Sequence, residues 1–367
     1  MHIEKLVLIN FKNYQDISIE FEPHINCILG KNGSGKTNLL DAIYYLSTTK
    51  SAINAIDSQN INFEKSFFTI KGEFVLEDDY WKVRCTFQEG KKKLFEVNGA
   101  EYEKLREHIG RFPVIFIAPN DTDLVREGSE IRRKFFDMMI SQLDRNYLDD
   151  LMAYNHYLKN RNSLLKQFAE SNRYDKALLE PYDQKLLELG RKIYLKRDEF
   201  TEPFNQLFLN QYNRLSGKEE SVSLKYVSDF AQENYQQEFS ARLKKDLALQ
   251  RSTFGTHKDD FKFLIEGNPL KKFGSQGQQK SFVLALRLTH YLILNREKGF
   301  KPILLLDDIF DKLDSSRIET LINIISGKEF GQVFLTDARS ERTKDLLQGL
   351  GLEARIYEIS RGNIQQG

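Results

Sequence analysis

Cysteine is nearly absent from this chain. The two present, Cys27 and Cys85, sit in apolar, strand-like stretches and read as small buried hydrophobes, which leaves no disulfide scaffold and no zinc site. Long apolar runs are missing too, since no window approaches the roughly 20 residues that cross a bilayer. The opening Met1-His2-Ile3-Glu4-Lys5-Leu6 carries an acid early and no apolar stretch, so no signal peptide is expected. These absences point to a soluble, cytoplasmic protein without a membrane partner. Charge of one sign is also lacking. Fifty-four Lys and Arg stand against 53 Asp and Glu, a formal net charge of +1. A nucleic-acid partner is therefore not legible in the total and would need a local basic face. What remains is a chain of 367 residues, enough for one large domain or two smaller ones.

The densest local pattern is Gly30-Lys31-Asn32-Gly33-Ser34-Gly35-Lys36-Thr37. The apolar run Ile25-Asn26-Cys27-Ile28-Leu29 precedes it, and Asn38 to Leu46 follows with apolar residues at helical spacing. Strand, glycine loop and helix are the setting that the Walker A pattern G-x-x-x-x-G-K-[ST] requires. The glycines admit backbone angles that a Cβ forbids, so the loop amides can turn toward phosphate oxygens. The helix start near Lys36 adds its positive end and free N–H groups. Lys36 has the reach for the β- and γ-phosphates of ATP, and the Thr37 hydroxyl can ligate Mg²⁺.

Along the chain, alternation predicts strands over 2–9 and 17–21, then 68–76, 81–87 and 94–97, with turns at Asp78-Asp79 and Asn98-Gly99. This is an antiparallel meander attached to a nucleotide core. Trp81 reads as core, and Lys91-Lys92-Lys93 as a solvated hairpin tip, with DNA contact as the alternative. After the strand Pro113 to Pro119, long helical patterns run from about 124 to 205, poor in proline and mixed in charge, and suggest an inserted helical lobe. A strand at 221–229 and a helix at 235–250 follow. From Gly255 the chain returns to α/β character, with strands at 260–265, 303–306, 333–336 and 355–359 and a polar, frayed tail at 362–367.

Ile303-Leu304-Leu305-Leu306 is apolar on both faces, as a central parallel strand requires, and ends in Asp307-Asp308. Acids there sit where open α/β sheets bind ligands. In this Walker B arrangement Asp307 holds Mg²⁺ and Asp308 orients or deprotonates the attacking water. One helix upstream, Ser275-Gln276-Gly277-Gln278 has the S-x-G-[QE] shape of the ABC signature and opens a helix, so Ser275, Gly277 and Gln278 suit an anion. Phe310-Asp311-Lys312-Leu313-Asp314 stands where that class has its D-loop. The class's switch histidine is missing, because Thr336-Asp337-Ala338 follows the last core strand.

At this point the chain resembles the RecF family of bacterial recombination mediators over essentially its full length, and more distantly the SMC-type ABC ATPases. The resemblance is carried by Asn10-Phe11-Lys12-Asn13-Tyr14, by Asp121 to Asp137, by Leu158-Lys159-Asn160-Arg161-Asn162, by Gly255-Thr256-His257-Lys258-Asp259-Asp260 and by Gly274 to Lys280. Ser129 replaces the usual proline, Asn160 a glutamine and Lys258 an arginine. The resemblance implies an α/β ABC-type ATPase head with an antiparallel meander and an inserted helical lobe. Its parts are the head at 1–120, the arm at 121–250 and the head again at 251–367. It adds Lys12 and Asn13 to the nucleotide contacts. It also implies ATP-dependent binding of gapped DNA at single-strand/double-strand junctions, an ATP-driven homodimer, weak DNA-stimulated hydrolysis, and a RecR-type partner in loading recombinase.

His257 with Asp259 and Asp260 lies on one short strand with alternating faces, which suits a structural or subunit-contact role better than a metal. Arg132 and Arg133 open a helix and are either a solvated face or functional. A metabolic P-loop phosphotransferase would explain 30–37 and 307 but leave the 274–280 turn without a role. A transporter ATPase is disfavoured by the helical insertion and the missing histidine.

Overall fold

The computed structural model describes every residue except 55, 172, 218, 219, 310–314, 361 and 367. The D-loop stretch Phe310-Asp311-Lys312-Leu313-Asp314 therefore lies outside the described residues. The chain divides into two compact units. The first comprises Met1–Asp121, Arg214–Ser216 and Lys280–Gly367, and the second Thr122–Asn213 and Gly217–Gln279.

The first unit holds two sheets. One is antiparallel, ordered Tyr14–Glu20, His2–Phe11, Phe67–Leu76, Asp79–Gln88, Leu94–Val97 and Ala100–Glu101. Its alternation buries Phe68, Ile70 and Phe74 on one face. The 97–100 hairpin turns through Asn98 and Gly99 at φ 51° and 81°, the left-handed pair that a two-residue hairpin needs. The turn expected at Asp78-Asp79 falls one residue earlier, at Glu77 and Asp78 with φ 52° and 69°. The second sheet runs Asn363–Gln366, Ala354–Ser360, Ile25–Leu29, Val333–Asp337, Ile303–Leu306 and Val114–Ile117, parallel except for the first of these. Its central strands are buried throughout. The tail expected to fray instead pairs as an antiparallel edge strand, because Ile364 packs on the core and the backbone ladder needs no apolar side chains elsewhere. The helix Lys36–Thr48 buries Leu39, Leu40, Ile43 and Leu46 in one apolar core with residues of both sheets.

Of the three lysines at the hairpin tip, Lys91 and Lys92 are exposed and Lys93 turns inward. Its ammonium meets Asp57 at 2.8 Å, the Tyr45 hydroxyl at 3.0 Å and the Thr49 carbonyl at 2.8 Å. Trp81 lies under the Arg111 guanidinium at 4.4 Å and packs on the core.

The second unit joins the helices Ser129–Leu143 and Arg145–Ser171 and most of Lys176–Ser216 to a small sheet ordered Asn268–Pro269, Asp260–Ile265, Val222–Val227. Residues 251–279, expected with the head, pack here because Asp260–Ile265 pairs with Val222–Val227. The long helix contains Pro181 and Pro203, each of which removes a helix hydrogen bond. Arg197 is buried and joins Asp137 and Asp259, both at 2.8 Å, to the Thr256 carbonyl at 3.0 Å. Arg161, also buried, bonds Asp183 and Asp246 at 2.6 Å and the Ser252 hydroxyl at 2.8 Å. Removing one partner of such a buried pair leaves an uncompensated charge, so these arginines fix the lobe's geometry. Among the described residues no helix is long and apolar enough to cross a membrane.

Candidate nucleotide site

The glycine loop leaves the buried strand Ile25–Leu29 at its C-terminal end and enters the helix at Lys36. Two glycines are obligatory there. Gly30 has φ 157°, and a Cβ would stand 2.4 Å from the Ile359 carbonyl oxygen. Gly35 has φ 117°, and a Cβ would stand 2.4 Å from Asn13 Nδ2 and 2.8 Å from the Tyr14 hydroxyl. Gly35 is the helix N-cap and supplies no side chain, so the first amides remain available to an anion. Lys36 is buried and lies across the loop, its Nζ donating to the Gly30 carbonyl at 2.7 Å and the Lys31 carbonyl at 3.2 Å.

The Thr37 hydroxyl meets both carboxylate oxygens of Asp307, at 3.0 and 2.9 Å, across 270 positions of sequence. Burial raises the Asp307 pKa, opposed by the Thr336 and Thr37 hydroxyls. A buried carboxylate beside a hydroxyl is a hard, all-oxygen donor set, the chemistry Mg²⁺ takes with phosphate oxygens, so Thr37 and Asp307 fit the ion. Asp308 follows at φ 46°, a left-handed conformation in which aspartate is among the tolerated residues. A cavity of about 300 Å³ spans Asn32, Gly33, Gly35 to Asn38, Asp307 and Asp308. A larger one of about 1010 Å³ adjoins it through Asn32 and Gly33 and runs to Glu358, Ser360 and Asn363.

The residues expected from the Asn10 to Tyr14 turn divide in two. Asn13 touches the loop, its Nδ2 donating to the Ser34 carbonyl at 3.1 Å and its Oδ1 accepting from Asn38 at 2.7 Å. Lys12 directs its ammonium to Asp41 at 2.6 Å, in a pair whose side chains are 7% and 0% exposed. Asp41 also accepts from Ser51 Oγ and the Ala52 amide, both at 2.6 Å. In this arrangement Lys12 braces the helix after the loop.

Two contributors escaped the sequence reading. Tyr14 donates to the Gly35 carbonyl at 3.0 Å. Thr336 donates to Asp307 Oδ1 at 2.7 Å and accepts from the Asp308 amide at 2.9 Å. The signal for Thr336 was its place, a polar residue at the C-terminal end of a parallel core strand. Ser275, Gly277 and Gln278 lie in the second unit, at the start of the helix Gln276–Lys298. Ser275 and Gln278 form a reciprocal capping box. The Gln278 amide donates to Ser275 Oγ at 3.2 Å and the Ser275 amide to Gln278 Oε1 at 2.7 Å.

The second-unit stretches that carry the resemblance are largely that unit's frame. His257 bonds the Tyr154 hydroxyl at 2.9 Å and the Ser252 carbonyl at 3.1 Å. Arg132 makes a two-pronged pair with Asp260 at 2.8 and 3.1 Å, and Arg133 donates to the Asp259 carbonyl at 2.7 Å. Asn162 Oδ1 accepts from the Ser252 amide and hydroxyl at 2.7 and 2.8 Å.

The loop strand and the acid-ended strand are separated by one strand, which contributes Thr336, and an antiparallel sheet shares their core. That combination defines an ABC-type P-loop ATPase head. The family model for the RecF/RecN/SMC N terminal domain matches residues 2–356. The DNA replication and repair protein RecF of Cytophaga hutchinsonii is 46% identical over all of this chain and 97% of its own length. That of Flavobacterium johnsoniae is 43% identical over 98% of this chain and all of its own length. The chain belongs to the RecF family. A solved structure of the recombination mediator RecF with ATP, in the RecFOR pathway, superposes with a TM-score of 0.90 at 30% identity, covering all of this chain and 97% of that one. An Smc head bound to a winged-helix domain of ScpA shares the fold at a TM-score of 0.57 and 17% identity, covering all of this chain and 97% of that one.

Proposed function

We propose that this chain is an ATP-dependent DNA-binding protein of recombinational repair and replication restart. It binds gapped DNA at single-strand/double-strand junctions and, with a RecR-type partner, helps load recombinase onto single strands. The observation that carries the nucleotide half is the Thr37–Asp307 contact facing an uncapped helix start. The DNA half is supported by relatives named as DNA replication and repair proteins. In this reading the loop amides and Lys36 hold the β- and γ-phosphates, and Asn13 and Tyr14 hold the loop backbone through the Ser34 and Gly35 carbonyls. Thr37 and Asp307 hold Mg²⁺, which neutralises phosphate charge when bound. Asp308 takes the proton of the attacking water. Ser275, at its helix start, receives the γ-phosphate of ATP held by a second copy, so ATP joins two chains and slow hydrolysis parts them. Exposed Lys271 and Lys272, just before that turn, add positive charge near it.

The test is sedimentation of the chain with and without ATP and Mg²⁺, alongside ATP turnover with and without gapped duplex. ATP-dependent dimers and DNA-stimulated turnover are expected. A monomer that ignores DNA and phosphorylates a small acceptor would establish the phosphotransferase instead.

A further inference from the structure

The capping box at Ser275 has an outer tie that a capping box does not require. Gln278 holds the Ser275 amide through Oε1, and its Nε2 donates to Glu220 Oε1 at 3.1 Å. The other oxygen of Glu220 accepts from the Tyr212 hydroxyl at 2.5 Å. Tyr212 is fully buried, near the end of the helix Lys176–Ser216. The chain beside Glu220 is itself anchored, because the Ser221 amide donates to Glu266 Oε1 at 2.9 Å and the Glu266 amide returns to the Ser221 carbonyl at 2.7 Å. A carboxylate accepts on both oxygens, so one side chain can take a donor from the turn and a donor from the long helix together.

The consequence is mechanical. Ser275 is exposed, and what fixes its amide is a glutamine side chain with three rotatable bonds. Holding such a side chain in one rotamer costs entropy unless something else holds it already. Glu220 does so, and thereby connects the serine turn to the helical arm. We propose that Glu220 is a positioning residue for trans engagement of ATP: by clamping Gln278 to Tyr212 it presets Ser275 for the γ-phosphate of a nucleotide bound by a second copy of this chain. The inference rests on the reading of 275–278 as a turn that serves the partner's nucleotide.

The full-length chain tests it, by sedimentation with ATP and Mg²⁺ across protein concentrations, with ATP affinity followed by a fluorescent ATP analogue. Glu220→Ala should raise the dimer dissociation constant about tenfold and Tyr212→Phe roughly threefold, the scale of one or two lost hydrogen bonds. ATP affinity should stay within about twofold for both, since the glycine loop lies in the other unit. Turnover lost in Glu220→Ala should return as protein concentration is raised, which distinguishes weak dimerisation from general damage. Wild-type dimerisation by both variants, or turnover that stays low at high concentration, overturns the proposal. Should Glu220→Ala not fold by circular dichroism, Tyr212→Phe decides alone, an unchanged constant overturning it. Ser275→Arg separates the two levels. If that variant dimerises with ATP as wild type does, the underlying turn reading fails. If it stays monomeric while Glu220→Ala dimerises normally, only the role of Glu220 fails.

Discussion

Thr336 stands where one hydroxyl can serve both acids, donating to Asp307 and accepting from the amide of Asp308. Thr336→Val keeps the shape and removes that bridge, leaving the half-buried Asp308 amide without this acceptor and Asp307 with one restraint fewer. The Asp308 backbone, already left-handed at φ 46°, is then free to relax. ATP binding should stay within about threefold while turnover falls about tenfold, the scale of one buried hydrogen bond. Equal losses in affinity and turnover would mean that Thr336 shapes the ground state instead. Asp308→Asn tests the acid itself. It retains the size of the side chain and loses the proton acceptor, so ATP should bind while hydrolysis drops at least about 100-fold. The variant should accumulate as an ATP-held dimer on DNA. Near-normal single-turnover hydrolysis would assign the water to another residue.

At the level of elements, the loop-to-helix start is tightly constrained by the close approaches at Gly30 and Gly35. Gly35→Ala sets a Cβ against Asn13 and Tyr14 at a φ of 117°, whereas Gly33→Ala, at φ 78°, meets nothing within 4 Å. Gly35→Ala should therefore weaken ATP binding at least about tenfold and lower the melting temperature, through backbone strain of roughly 1–3 kcal/mol. Gly33→Ala carries only the backbone cost and should melt closer to wild type. Titration calorimetry with ATP and a thermal melt on both variants decide it, and equal behaviour would show that the Asn13 and Tyr14 contacts do not constrain the loop. Elements of this kind were legible because their signals are contiguous: the glycine loop between strand and helix, Asp307-Asp308 after four apolar residues, Asn98-Gly99 between alternating strands. What was not legible depends on partners far along the chain. Lys12 meets Asp41, Lys93 turns in to Asp57, and Thr336 reaches Asp307 only because a third strand lies between two others. The tail strand was missed for a related reason, since Ile364 is the one apolar residue among 363–366, too few to give a periodicity, and the strand's stability comes from pairing with the strand 354–360.

At the scale of the whole molecule, buried histidines are expected to weaken the fold in acid. Burial lowers His108 and His257 to about 4 and His290 to about 3. An unfolded histidine takes its proton near 6.5, so between there and pH 4 the unfolded chain binds more protons than the folded one. Stability contributed by these neutral rings is present above that window and is lost as pH falls through it. Asp259, raised to about 6 by burial, has the opposite sign: its protonated form favours the folded state, and that contribution fades as pH rises from about 4 to 6. In the second unit His257 and Asp259 therefore oppose each other. In the first unit His108 and His290 act together, and the raised pKa of Asp307 opposes them. The single tryptophan, Trp81, lies in the first unit and reports it selectively. Between pH 7 and pH 5 the melting midpoint followed by Trp81 fluorescence should fall by several degrees, about 1 to 3 kcal/mol for a unit of this size. The midpoint followed by far-UV circular dichroism, to which the second unit's long helices contribute most, should move less. A Trp81 midpoint that holds or rises on acidification would mean that the two first-unit histidines are protonated in the folded chain, and that their burial does not govern its acid stability.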